Sequence, residues 1–358
     1  MPSRSLMTLL HGLVDYAGLY PPAKLGMAAA VDNYATYLHS RESWMLGRFI
    51  CPVSRLEEFR REAKGLLPKT EIALPDAAAP QADGTGHAGG PAPVLHATPL
   101  HHHSGGAGEG DIKAWESPWG LSAIIDGDLE ENLDAIFAFN HEHQQPSNGL
   151  ANIDVIELKA ASPGVIDDAL DTIPEELYPF FEIPLVSGAG GGAGGSAGDM
   201  RGYMTVLAGA DAAAKIRTGG LTPDAFPTCE TIAEFLVAAA AADVTFKATA
   251  GLHHPLRSEH GLTYEPDCPR GVMHGFINMF IAAAAAKRMN AGASILTQLL
   301  QEQDASSIRF TEEGVEWRGA RLSIDDIADV REGFAISFGS CSFEEPVEDL
   351  RTLKLLKR

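Results

Sequence analysis

The chain has 358 residues, with 48 Asp plus Glu against 27 Lys plus Arg, a formal net charge of −21. With 45% hydrophobic and 21% charged residues, the composition is globular and excludes fibrous or wholly disordered classes. The acidity argues against nucleic acid as a general partner, because phosphate backbones select a basic footprint. No run of 18 uncharged apolar residues suggests a membrane span. No signal-peptide pattern is read at the start. Cys51, Cys229, Cys268 and Cys341 share no short spacing, which excludes a CxxC redox or zinc-ribbon motif and points to reduced thiols in a cytoplasm.

In chain order, residues 1–47 read as a helical segment packing on the domain that follows, clearest over 27–40. Positions 15–25 read as a loop, because Pro21-Pro22 cannot continue a helix. Asp15, Tyr16, Tyr20 and Lys24 there make a polar–aromatic group suited to capping a barrel. RFICP (48–52) reads as a strand, with Ser54 capping the next helix and Glu57 as its capping-box partner. Residues 76–114, rich in Ala, Pro, Gly and His, read as a disordered insertion.

Five strands then follow at 121–127, 153–160, 179–185, 213–220 and 244–252. Helical patterns lie between them: one opens at Asp128, one at Ser162-Pro163, and one covers 227–242. The glycine run at 188–198 reads as a flexible insertion or lid, since polyglycine satisfies any dinucleotide fingerprint. A helix is expected over 271–289, a hairpin across 307–310 and 315–319, and a last buried strand over 334–343. Asp126, Glu157, Glu182, Lys215 and Lys247 recur once per strand–helix unit. Counting 48–52, 307–310 and the last strand gives eight strands. The pattern predicts an α/β fold, a (β/α)8 TIM-like barrel over 48–358, with an open doubly wound sheet as the alternative.

Strand side chains alternate, so residues of equal parity share a face. That rule sets Glu157 with Val155, Lys215 with Arg217, Lys247 with Thr249, and Glu182 opposite Phe181. Five strands then carry a charge near the C-terminal end, where barrels hold their active sites. The competing explanation is a structural ion-pair layer across the mouth. Lys215 and Lys247 on adjacent strands lie close, and a neighbouring cation with desolvation lowers a lysine pKa for attack on a carbonyl. Asp126, Glu157 and Glu182 are candidate proton carriers. Arg217, Thr218, Gly219 and Gly220, with Thr249, His253 and His254, are candidate anion- or substrate-binding residues.

KIRTGG (215–220), CETIAEFL (229–236) and FKATAGL (246–252) resemble a strand–helix–strand unit of class I aldolase barrels of the deoxyribose-phosphate aldolase type. The resemblance covers roughly 40 residues. It implies that Lys215 is the Schiff-base lysine and Lys247 its electrostatic neighbour. Arg217 stands where that family has a small residue, and Ala250-Gly251 replaces a glycine pair. The expected activity is Schiff-base lyase or aldolase chemistry on a small anionic carbonyl or phosphorylated metabolite, with no cofactor, in the cytoplasm. Neither nucleic acid nor membrane is an expected partner, while a homo-oligomer is possible. Two alternatives stay open. One is a metal-dependent barrel lyase or hydrolase, with Zn or another divalent metal near His253, His254, His260 and His274; the other is a non-catalytic ligand-binding barrel.

Overall fold

The computed structural model describes residues 2–69, 116–185 and 199–357. The expected 76–114 insertion and the 188–198 glycine run lie outside these residues. Eight parallel strands close into a barrel: β1 (Val14–Tyr16), β2 (Leu46–Pro52), β3 (Trp119–Ile124), β4 (Ala151–Lys159), β5 (Tyr178–Glu182), β6 (Ala213–Arg217), β7 (Phe246–Thr249) and β13 (Ala335–Ser340). The sheet order is β1-β13-β7-β6-β5-β4-β3-β2. Closure comes from β1, which pairs Val14 with Phe338 on one side and with Leu46 on the other.

A helix follows each barrel strand: α2 (Met27–Leu38), α3 (Leu56–Ala63), α4 (Leu129–His143), α5 (Pro163–Leu170), α6 (Asp199–Ala208), α7 (Cys229–Ala242), α8 (Phe276–Met289) and α11 (Glu344–Thr352). The additional elements are α1 (Arg4–Leu10), α9 (Ala293–Leu300), α10 (Ile324–Gly333), a hairpin of β8 (Ser258–Gly261) with β9 (Arg270–Met273), and an antiparallel sheet of β10 (Ile308–Phe310), β11 (Gly314–Trp317) and β12 (Ala320–Ser323).

The main core lies between the barrel wall and the helices, where Phe181, Ile216, Phe235 and Phe276 are buried. A smaller apolar group, Val155, Phe180 and Ala213, sits apart from it. Alternation along each strand produces the two groups: Phe181 joins one and its neighbour Phe180 the other. The 20-residue stretch Pro223–Ala242 is apolar and long enough to cross a membrane by length and composition. Here it packs Ile232, Phe235 and Leu236 into the main core.

Several sequence expectations change. Residues 1–47 are not a separate helical segment, because β1 within them completes the barrel. The expected strand at 307–310 belongs to the outer antiparallel sheet, although its hairpin with the following strand is present. Ser54 does not cap α3; its hydroxyl donates to Asp126 Oδ2 at 2.5 Å. The helix expected over 271–289 begins only at Phe276, because Arg270–Met273 pairs with β8. The Asp128 cap is present, its side chain accepting from Glu131 N.

Candidate active site at the barrel mouth

Strand register assembles the charged groups. Lys215 on β6 sits beside Glu182 of β5 and beside Lys247 of β7. Lys215 Nζ lies 2.7 Å from Glu157 Oε2 and 2.8 Å from Glu182 Oε2. Lys247 Nζ lies 2.7 Å from both Glu157 Oε1 and Asp15 Oδ2. Glu157 thus bridges the two lysines with its two oxygens. Because β4 and β7 are not neighbours, the Glu157–Lys247 contact crosses the barrel interior.

Hydroxyl and amide donors complete the carboxylates. Ser122 Oγ donates to Glu157 Oε1 and Ser337 Oγ to Asp15 Oδ2, each at 2.7 Å. The Arg48 amide donates to Asp15 Oδ1 at 2.8 Å. Gly47 leaves the space this carboxylate needs; a Cβ there would overlap Asp15 Oδ1. Below the charges, Lys247 Nζ stands 5.4 Å from the centre of the Phe180 ring.

The electrostatics follow from this pairing. Burial alone would raise the Glu157 pKa, but Lys215 and Lys247 outweigh it and hold the carboxyl well below the usual carboxylate range. Burial alone would lower the Lys247 pKa, yet Asp15 and Glu157 raise it above the ordinary lysine value. Lys247, expected as the electrostatic neighbour of Lys215, is itself raised rather than lowered. Its two carboxylates are in direct contact and prevail over the lysine next door. Lys247 is therefore a fixed ammonium that pins Glu157.

Access separates the two lysines. The Lys247 side chain is 1% exposed, Lys215 is 7% exposed, and Glu182 above it is 14% exposed. Two residues beyond Lys215, Arg217 is 56% exposed and lies 3.7 Å from Glu182 Oε1. Exposure thus falls from Arg217 through Glu182 and Lys215 to Lys247.

The structure brings Glu157, Glu182, Lys215, Lys247 and Arg217 together and leaves Asp126 apart. Strand β3 ends at Ile124, so the parity rule stops before Asp126. That carboxylate instead accepts from the Ser54 amide and hydroxyl at 3.1 and 2.5 Å. Thr218, Gly219 and Gly220 form a packed turn. The Thr218 hydroxyl donates to Ala250 O at 2.5 Å, and Phe226 lies where a Gly219 Cβ would project. Thr249 is half-buried, and its carbonyl accepts from the Thr218 amide at 2.9 Å.

His253 and His254 line a neighbouring cavity of about 190 Å³, together with His260, Tyr264 and Glu345. His254 Nδ1 lies 2.6 Å from Asp349 Oδ2, and its ring stacks on His260 with centres 3.3 Å apart. His274 is elsewhere, its Nε2 bonded to Pro227 O at 2.8 Å. Among the described residues, no three His, Cys, Asp or Glu side chains are placed to hold a metal ion.

Asp15, Ser122 and Ser337 are site residues that sequence reasoning did not assign to the charged layer. The only available signal for Asp15 was its polar–aromatic setting. No protein-family model, curated protein or solved structure matches the chain.

Proposed function

We propose that the protein is a Schiff-base lyase or aldolase acting on a small anionic carbonyl compound, with Lys215 as the reacting amine. The observation that carries this reading is the asymmetry of the two lysines. Lys247 is sealed between Asp15 and Glu157, whereas Lys215 contacts Glu182 on the side facing the mouth.

Glu182 is the proton acceptor in this scheme, 2.8 Å from Lys215 Nζ. Glu157 is a poor acceptor, because its two lysines hold it ionised. After proton transfer to Glu182, the Lys215 nitrogen lone pair forms a bond to the carbonyl carbon. The carbonyl π pair moves to oxygen, which takes the proton held by Glu182; the nitrogen then gives up one of its two protons to Glu182, which passes it to the same oxygen. Loss of that oxygen as water leaves the iminium, an electron sink for carbon–carbon bond cleavage or formation. Arg217 at the rim supplies a cation for a carboxylate or phosphate on the substrate. No cofactor enters these steps.

Borohydride reduction in the presence of pyruvate or glyceraldehyde 3-phosphate tests the reading. A reduced adduct on Lys215, lost in Lys215→Arg, is the expected result. Absence of any Lys215 adduct with both probes sinks the mechanism.

The fully paired charges also favour a second reading, a barrel whose ion network is purely structural. That alternative expects ligand-dependent thermal stabilisation without any lysine adduct.

A further inference from the structure

The cavity of about 190 Å³ beside the lysines has no part in their chemistry. Its lining comes from connections that follow three neighbouring barrel strands: Pro22 after β1, His253 after β7, and Glu345 in α11, which follows β13. Lys215, Glu182 and Arg217 belong to β5 and β6 instead. The β8–β9 hairpin supplies the remaining wall, and Tyr264 in its turn is 56% exposed, which sets the cavity at the surface. Contacts between side chains hold these walls in place. The His254 ring stacks on His260 of the hairpin, and His254 Nδ1 lies 2.6 Å from Asp349 Oδ2 of α11.

One wall group is left without a partner. His253 is 7% exposed, and its Nδ1 makes no hydrogen bond. Glu345 Oε2 lies 3.2 Å away but off the hydrogen-bond axis, and it accepts from the Tyr264 hydroxyl at 3.1 Å. Burial opposes charge on the ring, but Cys341 and Glu345 outweigh it and raise the His253 pKa to about 9. At neutral pH the ring is therefore an imidazolium with two N–H donors, one of them buried without an acceptor. A charged donor left in that state costs stability, and its persistence calls for an explanation.

The other wall groups say what would satisfy it. Glu345 already accepts from Tyr264, and Asp349 already faces His254. Thr263 Oγ1 accepts from the Glu265 amide at 3.3 Å, which leaves its own proton free for a ligand. The unmet demand is thus for an acceptor. An anionic oxygen meets it best, because a charge-assisted bond is stronger than one to a neutral carbonyl. The imidazolium offsets the Glu345 charge, so an incoming anion meets no net negative charge from that pair. The cavity has the volume of about six waters, enough for a carboxylate or phosphate group. We propose that it is a ligand site of its own, which takes a compact oxyanion, a carboxylate or a phosphate group, with His253 Nδ1 as the principal donor. The proposal does not depend on the Lys215 reading.

Calorimetry on the full chain at pH 7, with acetate and inorganic phosphate as separate probes, tests it. The expected result is saturable binding of at least one probe, weakened at least tenfold in His253→Gln and retained in Arg217→Gln; the tighter probe identifies the group. No saturable binding with either probe overturns the assignment, as does binding that survives His253→Gln. Binding lost in Arg217→Gln also overturns it, because the ion then sits at the rim beside Lys215. Where His253→Gln does not fold, the unaltered chain decides. Binding at least tenfold weaker at pH 10 than at pH 7 sustains the site, since His253 has lost its proton by then. Equal binding at the two pH values overturns it.

Discussion

The barrel buries cations at both ends and neutralises them differently. Near the C-terminal mouth, Lys247 is placed between two carboxylates. At the other end, Arg331 of α10 is buried among backbone carbonyls: its Nε donates to Leu9 O at 2.9 Å, an Nη to His11 O at 3.0 Å, and the other Nη to Ala335 and Ile336. The pKa directions diverge accordingly. Asp15 and Glu157 raise Lys247, whereas burial dominates at Arg331 and pulls it down. A guanidinium satisfied by carbonyls is a clamp joining the end of α1 to the start of β13. An ammonium held by carboxylates belongs to a network of paired charges. The floor of the barrel holds its cation with neutral carbonyls, and the mouth holds its cations with carboxylates.

The largest expected effect is at the floor. Arg331→Met strands several carbonyls with no donor and is expected to cost about 4 kcal/mol, measured by urea unfolding. Activity per folded molecule should not change.

At the mouth, Glu157→Gln removes the charge shared by both lysines. It is expected to cost about 3 kcal/mol and to abolish Lys215 adduct formation. Lys247→Met alone should cost a similar amount. Combined with Asp15→Asn it should cost less than the sum of the two single changes, because the orphaned partner is then removed as well. Additive losses in that cycle would show that the pair is not coupled.

A buried histidine sharpens the comparison through pH. His253 Nδ1 lies 3.2 Å from Glu345 Oε2, although off the hydrogen-bond axis. Burial opposes its charge, but Cys341 and Glu345 outweigh burial and raise its pKa to about 9. A raised histidine contributes stability that is fully present below about pH 6.5 and is lost as pH rises through about 9, at most about 3 kcal/mol. Thermal unfolding from pH 6 to pH 10 should show the loss, and His253→Gln should flatten it. Glu157 acts in the opposite sense: its stabilisation is present above its unfolded pKa of about 4.3 and declines as pH falls.

The smallest effect is expected at Asp126, whose partners are exposed surface groups. Asp126→Asn should shift stability by less than about 0.5 kcal/mol and leave adduct formation unchanged.

The sequence carried much of the mouth in its alternation. Parity set Lys215 with Arg217 and Glu182 opposite Phe181, and the register of β5, β6 and β7 sets Glu182, Lys215 and Lys247 side by side, while Asp126, expected in the same layer, falls beyond the end of β3. Asp15 escaped because VDY is only three residues long, too short for a period to register, and its pairing depends on β2 and β13 rather than on local preference. The same gap moved residues 307–310 into the barrel count, since a short apolar run does not reveal its partner. The turn at Thr218–Gly220 looked like an anion cradle because glycine serves both open loops and close packing. Phe226 over Gly219 decides for packing.

The charge state of Lys247 depends on which neighbours govern it: the lysine beside it or the carboxylates in contact with it. Side-chain 15N NMR of the lysine ammonium groups, assigned by Lys247→Met, measures this directly. Titration above the ordinary lysine value of about 10.4, falling in Glu157→Gln, is the result expected here. A Lys247 ammonium that loses its proton below that value in the intact protein would contradict it, and with it the division between a pinned lysine and a reacting one.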